Sequence, residues 1–221
     1  MSAPSSSLDL DTQLRARLVD TILCRLREAA PEVQALLRGS LAVGRGDQYS
    51  DIDILWDLPD LQFLLCLDRL QTILAGIRPV ESLRSDPLFQ HSEKHRLIFV
   101  RFAGVPLFWR LDVEVFAHSI GRDAQFDLDN PYAHGTDWSL TESALVSVIG
   151  AIKAHLRHQE KDARALLVRA YDRIGQSASA TELRELLLNL VSQVARIDPA
   201  QGELAARVED LAHHTFGTDS S

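Results

Sequence analysis

Between residues 39 and 55 the chain reads Gly39-Ser40-Leu41-Ala42-Val43-Gly44-Arg45-Gly46-Asp47-Gln48-Tyr49-Ser50-Asp51-Ile52-Asp53-Ile54-Leu55. A small-residue turn is followed by two carboxylates spaced by two. In an extended strand, residues i and i+2 point to one side, so Asp51 and Asp53 would aim both carboxylates at one spot while Ile52 and Ile54 face the core. Two like charges held that close call for a cation. Hard oxygen donors suit Mg²⁺, which takes one or two protein carboxylates and fills its other positions with water and substrate phosphates. Upstream, Gly39 and Ser40 close an apolar stretch, Ala35-Leu36-Leu37. A glycine followed by a hydroxyl lets backbone amides and a side chain approach a phosphate closely.

Gly-Ser followed about ten residues later by Asp-x-Asp resembles the signature of the DNA polymerase beta-type nucleotidyltransferase superfamily. The resemblance implies that Gly39 and Ser40 grip the β- and γ-phosphates of a nucleoside triphosphate and that Asp51 and Asp53 bind metal. It implies a third metal-binding acid on a later, adjacent strand, and Leu111-Asp112-Val113 resembles that element. Asp51, Asp53 and Asp112 would then hold two Mg²⁺ ions in the arrangement that stabilises attacking and leaving oxygens. Glu114, one pleat further along, is either the third ligand instead or a general base for the acceptor proton. Without metal, these acids would form salt bridges to Arg96, Arg101 or Arg110. Arg45 is placed to reach the phosphates bidentately or to remain a solvated loop residue. In several relatives a helical C-terminal domain adds a lysine to the triphosphate and a tyrosine near the base. Lys153 is the candidate lysine here, ahead of Lys161, and Tyr171 reads as core.

Several elements must position these groups. Leu14, Leu18, Ile22 and Leu26 recur at four-residue steps with Arg15, Arg17, Arg25 and Arg27 between them, which predicts an amphipathic helix over about 8–28, separated by Pro31 from the strand leading to Gly39. A second helix opens at Pro59-Asp60 and stops at Gly76. Residues 96–102 and 107–116 flank Ala103-Gly104-Val105-Pro106 and predict a hairpin. Its second strand sets Arg110, Asp112, Glu114 and Phe116 opposite Leu111, Val113 and Val115, which is not the pattern of a fully buried strand. Residues 118–137 lack periodicity and mark a boundary. Helices are predicted at 140–158, 161–175, 180–196 and 200–214, the first and third opened by the capping boxes Ser139-Leu140-Thr141-Glu142 and Ser179-Ala180-Thr181-Glu182. The Ser-rich first seven residues and the last five, from Gly217, read as frayed tails.

With 221 residues, 46% hydrophobic and 24% charged, the chain is long enough for one large or two small domains with a real core. A formal net charge of −8 argues against non-specific nucleic-acid binding, which needs Lys and Arg to neutralise phosphates. Cys24 and Cys66, each on a predicted helix, read as small buried hydrophobes in a reducing compartment. No segment suits a membrane span or signal peptide, which predicts a cytoplasmic protein. No His/Cys/Glu spacing suits zinc, and there is no P-loop.

The expectation is an α+β protein: an N-terminal nucleotidyltransferase-type mixed sheet flanked by helices at 8–117, followed by an α-helical bundle at 138–216. This layout resembles the small aminoglycoside and lincosamide nucleotidyltransferases. The resemblance implies Mg²⁺-dependent transfer of a nucleoside monophosphate, AMP from ATP, to a small hydroxylated acceptor, with no nucleic acid as partner and no membrane. Two alternatives stand beside it: an antitoxin-type enzyme that modifies a partner protein, and a regulator that binds nucleotide without turnover.

Overall fold

The computed structural model describes residues 10–30 and 32–217. Pro31 and most of the two segments expected to fray, residues 1–7 and 218–221, lie outside them. The chain divides between Trp138 and Ser139 into two compact units, so segment 118–137 belongs with the sheet.

The first unit, Asp11–Trp138, is built on a five-stranded mixed sheet. Helix α1 (Thr12–Glu28) starts at Asp11, whose carboxylate accepts from the Gln13 and Leu14 amides. Strand β1 (Gln34–Leu37) leads into the single-turn helix α2 (Gly39–Ala42) and, after a loop, β2 (Ile52–Leu58). Helix α3 (Phe63–Ala75) follows and ends at Gly76. Strands β3 (Val80–Ser85), β4 (His95–Phe102) and β5 (Leu111–Ala117) complete the sheet in the order β1-β2-β5-β4-β3. The β2/β5 pair is parallel and the other pairs are antiparallel.

Side-chain alternation sorts this sheet into two faces. Ile52, Ile54, Trp56 and Leu58 of β2 and Leu111, Val113 and Val115 of β5 are fully buried. Helices α1 and α3 pack on the sheet and on each other, burying Leu18, Ile22, Leu26, Leu70 and Leu74. Each such side chain contributes about 1.5–3 kcal/mol on leaving water. The opposite face carries the acids.

Two expectations are corrected here, and one strand is new. The hairpin's second strand starts at Leu111 rather than 107, because the Trp109 amide donates to the Pro106 carbonyl (2.9 Å) and closes a turn first. Strand β3 had no prediction. Cys24 is exposed on α1, where its thiol donates to Glu28 (3.2 Å), and only Cys66 is buried.

Among the described residues the second unit holds four α-helices: α4 (Leu140–Leu156), α5 (Glu160–Arg173), α6 (Leu183–Ile197) and α7 (Gly202–Phe216). The Ser139 hydroxyl caps α4 by accepting from the Glu142 amide (3.0 Å). Tyr171 is core, donating its buried hydroxyl to the Leu186 carbonyl (2.8 Å). The capping box at Ser179 does not form; α6 begins at Leu183 with no side-chain cap. No helix among the described residues is long and apolar enough to cross a membrane.

Candidate active site

Parallel pairing of β2 with β5 makes Asp53 and Asp112 register partners on the face opposite α1 and α3. Adjacent strands run about 4.8 Å apart, and two unit charges at about 5 Å repel by roughly 3 kcal/mol at an effective dielectric of 20. The fold offsets that repulsion with Arg110, two residues before Asp112 on the same face. Its Nε and Nη2 each donate to Asp112 at 2.6 Å, and the guanidinium lies 4.6 Å over the Phe99 ring. Burial pushes the Asp112 carboxyl up to about 6; the Arg110 hydrogen bonds pull it back, and the charges of Asp51 and Asp53 push it up again. Burial works against the Arg110 charge, but the hydrogen bonds and charge of Asp112, followed by the charges of Asp51 and Asp53, raise its pKa on balance.

Asp51 immediately precedes β2. Its following peptide is fixed by the Ile52 amide, which donates to the Arg110 carbonyl (2.9 Å). Its preceding loop is fixed by contacts that reading the sequence missed. The buried Arg15 side chain donates from Nη1 to the carbonyls of Asp47 (2.8 Å), Gln48 (3.3 Å) and Ser50 (3.0 Å). Trp109 donates its indole N–H to the Gln48 carbonyl (2.8 Å), and the Arg15 guanidinium sits 5.4 Å from its ring. Within the loop, Asp47 accepts from the Tyr49 amide and the Ser50 hydroxyl.

Gly39 has φ +63°, and a Cβ there would run into the Asp53 carboxylate. No other residue type lets the chain pass this close to that acid. The adjoining Arg38 amide donates to the Asp53 carbonyl (2.8 Å), and the Ser40 carbonyl accepts from the Arg45 amide (2.9 Å). Gly44 supplies the loop's other left-handed residue. The Arg45 side chain is exposed.

Glu114 has partners other than the arginines expected for it. Arg38, between β1 and α2, pairs with it, and the buried His95 faces it from β4 with Nε2 at 3.4 Å. The His95 hydrogen bond, together with Arg38, holds the Glu114 carboxyl below its usual range against the effect of burial. A carboxylate held that low is a weak proton acceptor. Its stack on Phe116 (4.6 Å) and contact with Phe89 (4.1 Å) fix the His95 ring. Lys153 is buried on α4 in the helical unit.

Among the described residues no three Asp, Glu, His or Cys side chains converge as a ready metal cage. The donor chemistry nevertheless fits Mg²⁺, which needs only one or two carboxylates and otherwise water or phosphate. Asp53 and Asp112 are adjacent, and a guanidinium already supplies positive charge beside them.

No family model and no curated protein sequence matches the chain. Solved structures match at low similarity, three of them as follows. A complex of GLD-2 with RNP-8 shares 13% identity over 81% of this chain and 76% of that one, with a TM-score of 0.38. Cid1, described with RNA terminal uridylyl transferase activity, shares 13% over 83% and 67%, with a TM-score of 0.42. The non-canonical poly(A) polymerase complex of GLD-2 and GLD-3 shares 15% over 81% and 69%, with a TM-score of 0.37. Two of these descriptions name RNA as substrate or poly(A) as product, which corrects the expectation of a small hydroxylated acceptor with nucleic acid excluded. The physical flaw in that expectation is that −8 is a sum over the chain and does not describe any one surface.

Proposed function

We propose that this chain is a metal-dependent nucleotidyltransferase that moves a nucleoside monophosphate, AMP from ATP, onto an acceptor hydroxyl and releases pyrophosphate. The observation that carries the reading is the register pairing of Asp53 with Asp112, with Gly39 pressed against Asp53 and Asp51 one residue before the strand. Asp51, Asp53 and Asp112 are the residues that would hold Mg²⁺. When bound, two such ions supply Lewis acidity at the transferred phosphoryl group and lower the pKa of the acceptor hydroxyl.

The chain's own residues do the rest. Gly39 makes room for the Asp53 carboxylate itself, and Ser40, the next residue, offers a hydroxyl donor to a phosphate. Arg45 on its exposed loop adds a cation for the outer phosphates. Glu114, tied to Arg38 and His95, braces the β1/β5 side of the site.

Pyrophosphate release tests the reading, measured with Mg²⁺ and each of the four NTPs against RNA oligonucleotides with and without a free 3′-hydroxyl and a panel of hydroxylated small molecules. Acceptor-dependent release that disappears in D53N supports transfer and identifies the acceptor. Metal-independent NTP binding without release under any condition overturns it.

A further inference from the structure

We propose that Arg15, on a helix remote in sequence from every acid of the site, is the positioning residue that sets Asp51 for metal binding; this rests on the metal-dependent reading above. Three observations carry it. First, Arg15 is only 6% exposed, and its charge is met chiefly by carbonyl oxygens of a single loop. Burying a cation is costly unless it is richly hydrogen-bonded, so this guanidinium and the loop conformation depend on each other. Second, the last of those carbonyls belongs to Ser50, and the next peptide N–H, that of Ile52, is held by Arg110. Asp51 is therefore gripped on both sides, leaving its backbone little freedom to swing the carboxylate away from Asp53. Third, Trp109 closes the bracket from the β4–β5 connection by binding the Gln48 carbonyl and flanking the Arg15 guanidinium.

Second-sphere groups of this kind typically alter metal affinity by about 10–100-fold when removed. Arg15 touches neither metal nor nucleotide; it acts through the loop it holds and through its charge near Asp47 and Asp51. Its loss should weaken metal binding, whereas a purely structural role would lower the melting temperature alone.

The test is Mn²⁺ binding, followed by electron paramagnetic resonance, in the full chain and in R15M, R15K, W109F and D51N, with the melting temperature of each. Affinity should fall by about 100-fold in R15M and about 10-fold in R15K, whose ammonium keeps charge and donors without the planar fork. W109F keeps the ring but loses the indole N–H, and should show a smaller loss. The Mg²⁺ concentration for half-maximal pyrophosphate release should rise in parallel, with kcat at saturating Mg²⁺ within a few-fold of wild type. If R15M fails to fold, R15K and W109F decide: wild-type Mn²⁺ affinity in both overturns the role of Arg15. Wild-type affinity in D51N instead overturns the metal reading itself.

Discussion

Asp53 and Gly39 constrain each other so closely that residue 39 has no alternative side chain. Gly39→Ala would combine a left-handed φ with a Cβ inside the Asp53 carboxylate. The backbone strain alone is about 1–2 kcal/mol, and the clash forces Asp53 off its position. The expected outcome is a folded protein with Mn²⁺ affinity and transfer rate each down by at least tenfold, read by titration and pyrophosphate release. Asp112 makes a prediction of opposite kind. Its carboxyl titrates near 3.8 when unfolded and near 6 when folded and metal-free, so the folded chain binds the extra proton. The associated stability is complete below about pH 4 and is lost as pH rises through about 6, with a size on the order of 3 kcal/mol. In EDTA, the melting temperature of D112N minus that of wild type should therefore grow between pH 4 and 7. A flat difference would show that burial does not govern this carboxyl. Both acids were legible in the sequence from spacing and strand pattern. Arg15 was not: it sits among the polar residues of an amphipathic pattern, and only the fold shows that it shares the buried stripe of Leu18, Ile22 and Leu26.

Elements were legible wherever burial imposed a period. The helices α1, α3 and α5 lie close to their predicted spans, because each buries one stripe of residues, and α4 does so although it is buried on nearly every side. Strand β3 escaped because Val80-Glu81-Ser82-Leu83-Arg84-Ser85 is a sheet-edge segment that alternates weakly and buries none of its side chains fully. The two capping boxes separate motif from mechanism. The one at Ser139 forms, whereas Ser179 lies too far upstream, since the apolar stripe of α6 begins only at Leu183, Leu186 and Leu187. Ser139→Ala should cost about 1 kcal/mol, and Ser179→Ala less than about 0.5 kcal/mol, as for an ordinary surface change. Urea denaturation of the two variants measures the contrast, and equal losses would remove the assigned cap.

At the scale of the whole chain, charge determines how a nucleotide can be bound. The total of −8 is a poor guide to macromolecular partners, but it agrees in sign with the acids gathered on one sheet face. A nucleoside triphosphate is itself a polyanion, and each phosphate–carboxylate approach at about 6 Å opposes binding by roughly 3 kcal/mol at an effective dielectric of 20. Arg110 compensates only part of this, because both its hydrogen bonds go to Asp112. ATP affinity should therefore fall by about a hundredfold or more when Mg²⁺ is replaced by EDTA, as read by calorimetry. Linkage then fixes a second quantity: a non-hydrolysable ATP analogue must tighten Mn²⁺ binding by the same factor by which Mn²⁺ tightens the analogue. In a D51N/D53N double variant that factor should collapse toward one while weak metal-free nucleotide binding persists, since the repulsion has gone together with the ligands. An unchanged coupling factor in the double variant would place the cation on the nucleotide alone and leave these carboxylates without a part in binding it.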